Sequence, residues 1–479
     1  MEPFLFAAKS QRERRRLAQL KEQGRIRQIG PRLYTSLSEA EVPAAARGAW
    51  AMVASALFPG ALVSFRTALE YVPSPERVVF LTSTTNRRAA YPGLTIQFIR
   101  GPGPLPDDGP FLGLRASSLP RALLENFKRD ARSASARTLP IEHIERKLEQ
   151  LLRDGGEAEL NKVRDRAREI AHELGWRAEY QRLDAAIGAL LRTRSAGGVT
   201  SAPARARALG EPFDTACLER LQLLFGELNT RAVSSPSDAF GSPPHYRNKA
   251  FFDSYFSNYI EGTAFEIAQA EQIVFDKKIP AARPVDAHDI LGTFHVLSDP
   301  NEMRRTPSSS NELLELLRAR HEKMLARRPE ARPGLFKQEV NRAGNTVFVI
   351  PEYVVGTMKT GYELYAALDR GLARAIFSMF LVSDVHPFDG GNGRIARVMM
   401  NAELVAAESS TIIIPNVYRE DYLLALRALT RRNRPGPIVD ALARAAAFSH
   451  LDFSAYPQVL AELRRRNWFQ DPEDAQIIA

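Results

Sequence analysis

The strongest constraint in this sequence is a glycine-rich turn set between two segments with helical apolar spacing. The run reads Val385-His-Pro-Phe-Asp-Gly-Gly-Asn-Gly-Arg-Ile-Ala-Arg397. Residues 372–382 before it and residues 395–407 after it both have the apolar period of a helix. The turn therefore leads into a helix N-terminus, where backbone N–H groups and the helix dipole attract anions. This arrangement predicts a phosphate site.

The side chains of the run supply the remaining parts of such a site. His386 is the one group in it that titrates near neutral pH, so it is the candidate general base. Asn392 offers a neutral hydrogen-bond donor. Arg394 and Arg397 are three residues apart, which lets two guanidiniums reach one phosphate chain. Together these groups indicate a base beside a bound polyphosphate.

The pattern His-x-Phe-x-x-Gly-Asn-Gly-Arg resembles the signature loop of the Fic/Doc (Fido) proteins, and the likeness extends over about residues 220–450. The resemblance implies a mainly α fold: a helical Fic core with a short β-hairpin flap, preceded by a smaller mixed α+β winged-helix-like region. It also implies transfer of AMP from ATP to a Ser, Thr or Tyr hydroxyl of a target protein, or of this chain itself. By the same resemblance, His386 is the general base and Phe388 is a buried anchor of the loop. Gly391, Asn392 and Gly393 cradle the α and β phosphates. Arg394 binds the phosphates, and Arg397 binds the γ-phosphate.

One position departs from the family pattern. An acidic residue that holds Mg²⁺ usually stands immediately before the Gly-Asn pair, but here that position is Gly390 and the carboxylate is one place earlier, at Asp389. Magnesium requires near-octahedral oxygen geometry and accepts water for most of its ligands. Asp389 could therefore reach the ion directly or through water, or it could point away.

A second motif lies upstream of the signature. Aromatic side chains recur every four residues over 251–259, which predicts a helix face packed in the core. The same segment contains Ser-x-x-x-Glu-Gly, which resembles the inhibitory motif of self-inhibited Fic proteins; its residues are Ser257, Glu261 and Gly262. The resemblance implies that Glu261 pairs with Arg397 and so keeps the γ-phosphate of ATP from its productive position.

Residues 344–351 form a β-branched stretch between Gly and Pro, which predicts a short strand. By resemblance this is the flap that aligns an extended target segment by β-augmentation, through Asn345, Thr346, Val347 and Phe348. His288 and His295 are seven residues apart, too far to share a metal ion on one helix, so we expect no metal site there.

The N-terminal region is basic. The chain has 65 Lys and Arg against 56 Asp and Glu, a net charge of +9, and much of that excess lies in residues 1–35. This arm carries Lys9, Arg12, Arg14, Arg15, Arg16, Lys21, Arg25, Arg27 and Arg32 against Glu2, Glu13 and Glu22. It could neutralise nucleic-acid phosphates or be a solvated helix face.

Residues 16–23 are predicted to form a helix, and residues 25–35 a two-stranded wing around a Gly-Pro turn. Together with Gly113-Leu-Arg-Ala-Ser-Ser-Leu-Pro-Arg-Ala-Leu-Leu124, this region resembles AbiEi-type antitoxin regulators with a winged-helix domain. It departs from them in having too few residues before Arg12 for the helices that precede a recognition helix. DNA binding, partner binding and self-assembly into a homo-oligomer all stay open.

The remaining patterns give the domain organisation. Strands are expected at 77–82 and 94–99 with a turn-rich segment at 86–93, and helices over 140–192 with a break at Gly155-Gly156. A Ser-, Ala-, Gly-, Pro- and Arg-rich linker is expected at 194–210. The sequence therefore predicts a regulatory or partner-binding region at 1–193, a linker at 194–210 and the Fic domain with its inhibitory helix at 211–479.

Composition limits the class of protein. The chain is 44% hydrophobic and 25% charged, which is globular usage, and it has no apolar run long enough for a membrane helix. A single cysteine, Cys217, cannot form an internal disulfide, so the expected location is the cytoplasm. Three further functions stay open: a Fic-fold enzyme with another donor or with AMP removal as its reaction, a DNA-binding regulator with a weak Fic enzyme, and a toxin fused to its antitoxin.

Overall fold

A computed structural model of the chain describes residues 3–6, 11–128, 136–238 and 241–478. It divides into two compact units, Met1–Gly210 and Glu211–Ala479. Lys9 and Glu2 of the basic arm lie outside the described residues. Among the helices of these described ranges, none combines the length and the apolar run that a bilayer crossing requires.

The first unit is mixed α and β. Its helices are α1 (Gln11–Glu22), α2 (Val42–Gly48), α3 (Trp50–Leu57), α4 (Phe65–Glu70), α5 (Leu119–Asn126), α6 (Ile141–Leu174), α7 (Arg177–Leu190) and α8 (Ala202–Ala208). Its strands are β1 (Phe4–Phe6), β2 (Arg27–Gly30), β3 (Leu33–Thr35), β4 (Leu62–Val63), β5 (Val78–Ser83), β6 (Arg87–Tyr91), β7 (Leu94–Arg100), β8 (Gly109–Phe111) and β9 (Leu114–Ala116). The strands form a three-stranded sheet, β1-β3-β2, and a six-stranded sheet, β6-β7-β5-β4-β9-β8.

The wing predicted at 25–35 is the antiparallel hairpin β2–β3, and β1 adds a third strand to it. The helix predicted at 16–23 is the second half of α1, which has no buried residue. A recognition helix of a winged-helix domain packs against other helices, and α1 does not bury a face in that way. The structure therefore does not confirm a winged-helix domain.

The two expected strands are β5 and β7, which pair in parallel at the centre of the large sheet. The prediction of a turn-rich segment at 86–93 was wrong, because most of it is strand β6, antiparallel to β7. This edge strand has almost no apolar alternation. Its Arg87 places its guanidinium 3.9 Å from the ring centre of Phe98, so a cation covers the apolar surface that an aliphatic side chain would normally cover.

The expected helices over 140–192 are α6 and α7, and Gly156 interrupts α6 with non-helical dihedral angles. Residues 194–210 are not an open linker. They form a 3₁₀ turn at Ala196–Gly198 and helix α8, and they bury Val199 and Ala204 in the core of the first unit. Ser201 caps α8 by accepting a hydrogen bond from the N–H of Ala204.

The second unit is helical apart from one hairpin. Its helices are α9 (Thr215–Thr230), α10 (Pro243–Ile260), α11 (Ile267–Phe275), α12 (Pro284–Leu297), α13 (Pro300–Met303), α14 (Ser310–Met324), α15 (Pro351–Ala366), α16 (Leu372–Val385), α17 (Asn392–Ala406), α18 (Arg419–Arg432), α19 (Gly436–Phe448) and α20 (Tyr456–Arg465). The hairpin consists of β10 (Arg342–Ala343) and β11 (Thr346–Val347). Short 3₁₀ turns lie at Pro329–Ala331 and Asn416–Tyr418.

Helix α16 lies at the centre of this unit. Nearly all of its residues are buried, and it contacts α9, α15, α17 and α19. A helix that is apolar on every side is stable in water only when other helices surround it. This burial fixes the end of α16, and with it the start of the glycine-rich turn.

Candidate functional site

The signature run forms a loop, residues 386–391, between the end of α16 and the start of α17. His386 lies in the left-handed region at φ 55°, and its N–H still bonds to the carbonyl of Val382. Gly391 has φ 72°, and a Cβ atom built on it would lie 2.7 Å from a methyl carbon of Leu325. Only glycine fits at that position, because it needs no Cβ and adopts positive φ without strain. The loop therefore turns sharply into α17, as its sequence predicts.

The ring of His386 has one nitrogen occupied and one available. Its Nδ1 lies 3.2 Å from the carbonyl oxygen of Ser383, so Nδ1 carries the proton and Nε2 has the free lone pair. The ring stacks on Phe348 with the ring centres 3.7 Å apart. Burial, with a smaller effect of the charge of Lys337, lowers the pKa of His386 to about 4. The imidazole is neutral at pH 7 and can accept a proton.

A second histidine braces the loop, and nothing in the sequence pattern identified it. Nδ1 of His321 accepts the N–H of Gly334 at 3.1 Å, so its Nε2 carries the proton and donates to the carbonyl of Gly390 at 3.0 Å. Its ring also stacks on Phe388, with the ring centres 3.7 Å apart and the planes at 4°. Burial lowers the pKa of His321 to about 4. Both polar bonds therefore involve a neutral ring.

The segment before the hairpin braces the loop from another direction. Nζ of Lys337 donates to the carbonyl of Val385 at 3.3 Å, and the backbone N–H of Lys337 donates to the carbonyl of Pro387 at 2.9 Å. Nδ2 of Asn341 donates to the carbonyl of Phe388 at 2.8 Å. Burial lowers the pKa of Lys337 to about 8. These contacts fix the loop through three of its carbonyls, those of Val385, Pro387 and Phe388.

Asn392 is the first residue of α17, and its side chain forms hydrogen bonds with the backbone of Phe388 in the loop. Its Oδ1 accepts the N–H of Phe388 at 2.9 Å, and its Nδ2 donates to the carbonyl of the same residue at 2.8 Å. The carboxamide is buried and closed on the loop, so only the backbone of Asn392 can face a phosphate.

Phe388 is fully buried between His321 and Phe336, which is the position expected for a loop anchor.

Arg394 is fixed by partners that sequence reasoning did not find. Its Nη1 lies 2.7 Å from Oδ2 of Asp289 on α12 and 3.0 Å from Oδ1 of Asn258 on α10. Asp289 also pairs with Arg328, so a single buried carboxylate serves two guanidiniums. This anchoring ties the first turn of α17 to α10 and α12.

Arg397 is bound by the residues of the predicted inhibitory motif. Its Nε donates to Oγ of Ser257 at 2.9 Å, and its Nη2 donates to the carbonyl of Ser257 and to Oε1 of Glu261, each at 2.8 Å. Burial by itself would raise the pKa of Glu261, but the guanidinium of Arg397 holds that pKa below its usual value. Gly262 follows with φ 90° and turns the chain away after α10.

The same carboxylate lies against the start of α17. A Cβ atom built on Gly393 would collide with Oε1 of Glu261. The first N–H groups of a helix have no acceptor within the helix, and they are the groups that bind a phosphate. Glu261 therefore places its negative charge at the predicted anion site.

A buried polar stripe runs along α10 through Lys249, Asp253 and Ser257 at four-residue spacing. Glu261, four residues further on and partly exposed, follows the end of the helix. Oδ2 of Asp253 accepts a hydrogen bond from Asn401 of α17 at 2.7 Å. Burial raises the pKa of Asp253 to about 7 and lowers that of Lys249 to about 8. The four-residue spacing of Lys249, Asp253, Ser257 and Glu261 was the sequence signal for this arrangement.

A cavity of about 390 Å³ opens above the loop. His386, Gly393, Arg397 and Glu261 lie at its base, the β10–β11 hairpin forms one wall, and α18 forms another. The hairpin is shorter than the strand predicted at 344–351: only Thr346 and Val347 are in β11, opposite Arg342 and Ala343, and Pro351 already begins α15. Asn345 lies in the turn, and Phe348 follows the strand and covers His386.

The residues near the loop do not fit the magnesium site of the family. The carboxylate of Asp389 is paired with Nε of Arg332 at 2.7 Å, and it does not line the cavity. Gly390 has no side chain, and its carbonyl is occupied by His321. In the described part of the chain, no three His, Cys, Asp or Glu side chains are grouped to hold a metal ion, and this includes His288 and His295.

Residues 311–404, which contain the whole loop with α16 and most of α17, match the model of the Fic/DOC family. Residues 311–404 are therefore similar to a Fic domain. The match covers the signature loop and the residues His321, Lys337 and Asn341 that brace it, but it begins after helix α10.

The chain is similar to curated proteins named protein adenylyltransferase Fic. One, from Nematostella vectensis, is 27% identical over 190 residues, which is 38% of this chain and 44% of that protein. Another, from Drosophila willistoni, is 24% identical over 236 residues, or 47% of each protein. The chain thus spans less than half the length of these relatives.

Among solved structures, the chain is similar to Fic-1 (residues 134–508) from C. elegans, at 18% identity and a TM-score of 0.38, covering 68% of this chain and 94% of that one. It is also similar to a Fic domain containing signaling protein from Bacteroides thetaiotaomicron, at 20% identity and a TM-score of 0.37, covering 48% of this chain and 94% of that one.

Proposed function

We propose that this protein transfers AMP from ATP to a hydroxyl group of a protein, and that Glu261 inhibits the reaction. The observation that carries the proposal is the position of His386: a neutral base with Nε2 free lies at the bottom of a cavity, next to the N-terminus of α17. The names of the relatives support the same reaction.

In the proposed reaction the phosphates of ATP lie against the first turn of α17. Nε2 of His386 accepts the proton of a Ser, Thr or Tyr hydroxyl, and the hydroxyl oxygen forms a bond to the α-phosphorus. The bond between the α-phosphorus and the bridging oxygen to the β-phosphate breaks, and pyrophosphate leaves. The N–H groups of the helix start stabilise the charge that develops on the α-phosphate. Because Asp389 is engaged by Arg332, no step depends on a metal ion held by that carboxylate.

The proposed inhibition follows from the contacts of Glu261. A γ-phosphate that binds Arg397 must replace the carboxylate, which is held by a charge-assisted hydrogen bond. While Glu261 stays, its charge also repels the phosphates from Gly393. ATP then binds in an unproductive position or not at all.

The experiment compares the wild type, Glu261→Gly and Glu261→Gly/His386→Ala with α-labelled ATP and Mg²⁺, in the presence of a host lysate. The proposal predicts little label in the wild type, strong label on protein in the single variant, and none in the double variant. Absence of label in all three would reject AMP transfer. Parallel reactions with labelled GTP, CTP, UTP and CDP-choline, and with an AMP-modified protein, would then identify another donor or AMP removal.

A second function, contact with nucleic acid, is supported by one feature of the first unit. Helix α1 has no buried residue and carries five basic side chains, Arg12, Arg14, Arg15, Arg16 and Lys21, against two acidic ones. Binding of a 30-base-pair DNA duplex should weaken steeply as salt rises and should vanish when residues 11–22 are removed. Salt-independent retention, or retention after the deletion, would reject this function in favour of partner binding or self-assembly.

A further inference from the structure

The wall of the cavity formed by α18 is positively charged. Arg427 and Arg431 are one turn apart on this helix, and both line the cavity. Leu423 and Leu426, on the same face, give the rest of the wall an apolar surface. Both guanidiniums therefore line the same cavity as His386.

In the part of the chain that the structure describes, these cations have no carboxylate partner. From residue 422 to residue 439 the chain contains four arginines and no Asp or Glu. Within the described ranges, neither Arg427 nor Arg431 lies within 4.0 Å of a carboxylate oxygen. Arg431 instead donates from Nε to Oγ1 of Thr346 at 2.8 Å and from Nη2 to the carbonyl of Ala343 at 3.4 Å. It thereby joins α18 to the hairpin with its charge uncompensated.

Arg397 lines the same cavity but differs from these two arginines in having a carboxylate partner. That guanidinium is matched by Glu261, whereas the two on α18 keep a net charge of +2 at the entrance. A guanidinium favours a carboxylate through two parallel charge-assisted hydrogen bonds. An anion that pairs with these two guanidiniums must therefore enter the cavity from outside.

We propose that the protein segment modified by this enzyme carries Asp or Glu close to the acceptor hydroxyl, where the carboxylate pairs with Arg427 and Arg431. The proposal rests on the proposed function. In an extended segment, side chains two residues apart point to the same side, about 6.7 Å from each other. A carboxylate two residues before or after the hydroxyl thus faces the same cavity as the hydroxyl itself.

The test is a binding measurement that does not need AMP transfer. The full chain with Glu261→Gly is titrated into a fluorescein-labelled nine-residue peptide with a central Tyr and Glu two residues to either side, and into its twin with Gln in place of Glu. The Glu peptide should bind about tenfold more tightly, and 0.5 M salt should remove the difference. Equal affinities for the two peptides would overturn the proposal.

Variants with reversed charge test which arginines cause the preference for the Glu peptide. Arg427→Glu/Arg431→Glu should abolish the preference for the Glu peptide, whereas Arg432→Glu, on the same helix but outside the cavity lining, should keep it. Loss in both variants would mean a general charge effect and would overturn the proposal. The thermal melting temperature of each variant checks that it is folded, and if the double variant unfolds, Arg427→Gln alone should reduce the preference severalfold.

A nucleotide titration distinguishes the other source of anionic groups, the phosphates of ATP. The double reversal should leave ATP affinity within about twofold, because the proposed phosphate groups are Arg397 and the start of α17. An equal loss of ATP and peptide binding would assign the arginines to the nucleotide and overturn the proposal. Failure of the proposed function is distinguishable, because it would appear as absence of AMP label in Glu261→Gly whichever peptide binds.

Discussion

Glu261 and Arg397 are joined by a hydrogen bond of 2.8 Å between Oε1 and Nη2, and the same carboxylate lies directly beside Gly393. Two groups that we propose bind phosphate, a guanidinium and a helix N-terminus, are thus occupied by one side chain. About 28% of the Glu261 side chain is exposed, so it can leave without unfolding of the core. Movement of the Glu261 side chain alone would free both Arg397 and the start of α17.

Replacement of Glu261 by Gly should increase AMP transfer by about tenfold or more, because it removes both the paired carboxylate and the repulsion of phosphate. The measurement is incorporation of α-labelled ATP into protein, together with ATP affinity by calorimetry. Glu266→Gly is the matched control, since this glutamate is exposed and five residues further along the chain. An equal rise in the control would assign the effect to loosening of the chain.

The pH dependence follows from the pKa of His386, which burial lowers to about 4. The base is its neutral form, which dominates above that pH, so kcat/KM should stay flat from pH 5 to pH 8 and fall only toward pH 4. Lys337, Glu261 and Arg397 are the charged groups that face this ring. The measurement is made on Glu261→Gly, and a fall in rate centred near pH 6.5 would contradict the assignment of His386 as a buried neutral base.

His321 is a positioning residue, and its replacement should affect the loop as a whole. His321→Ala leaves the N–H of Gly334 and the carbonyl of Gly390 without their partner and removes the stack on Phe388. We expect a loss of about 2–4 kcal/mol in the free energy of unfolding, measured with urea. In the Glu261→Gly background kcat should fall by about tenfold or more. His321→Gln, which can still donate to Gly390, should recover part of kcat; no recovery would mean a purely structural role.

The same residue predicts a pH-dependent stability. The pKa of His321 is about 4 in the folded protein, below the ordinary value of 6.5, so the unfolded chain binds more protons between those values. Its contribution to the free energy of unfolding is therefore present above pH 6.5 and is lost as the pH falls toward 4. Asp253, with a pKa raised to about 7, has the opposite sign, so the test is the difference between wild type and His321→Gln. That difference should grow from pH 4 to pH 6.5.

Gly390→Asp should create the carboxylate that the loop lacks. A Cβ atom on Gly390 would meet only the methyl group of Ala331 at 3.9 Å, so the loop can accept the side chain. In the Glu261→Gly background, we expect a rise of about tenfold in AMP transfer with a new dependence on Mg²⁺ concentration. Gly390→Asn is the matched control without charge. An equal Mg²⁺ response before and after the change would contradict the conclusion that Asp389 is not a metal ligand.

The sequence by itself determined the local part of the site. The apolar period on both sides of the turn predicted the ends of α16 and α17 to within a few residues, because helix boundaries depend on nearby side chains. The four-residue spacing of Ser257 and Glu261 likewise placed both on one helix face, and the resemblance supplied their partner. Strands β5 and β7 were predicted from the apolar residues within each segment.

Only the tertiary structure decided which side chains hold the loop. His321, Lys337 and Asn341 act on carbonyls 47 to 69 residues away, and Asp289 reaches Arg394 from α12. Spacing along the chain contains no information about such contacts. The direction of Asp389 depends in the same way on Arg332, 57 residues before it. Local patterns fix where a helix begins and ends, whereas the packing of distant segments fixes where a buried polar group finds its partner.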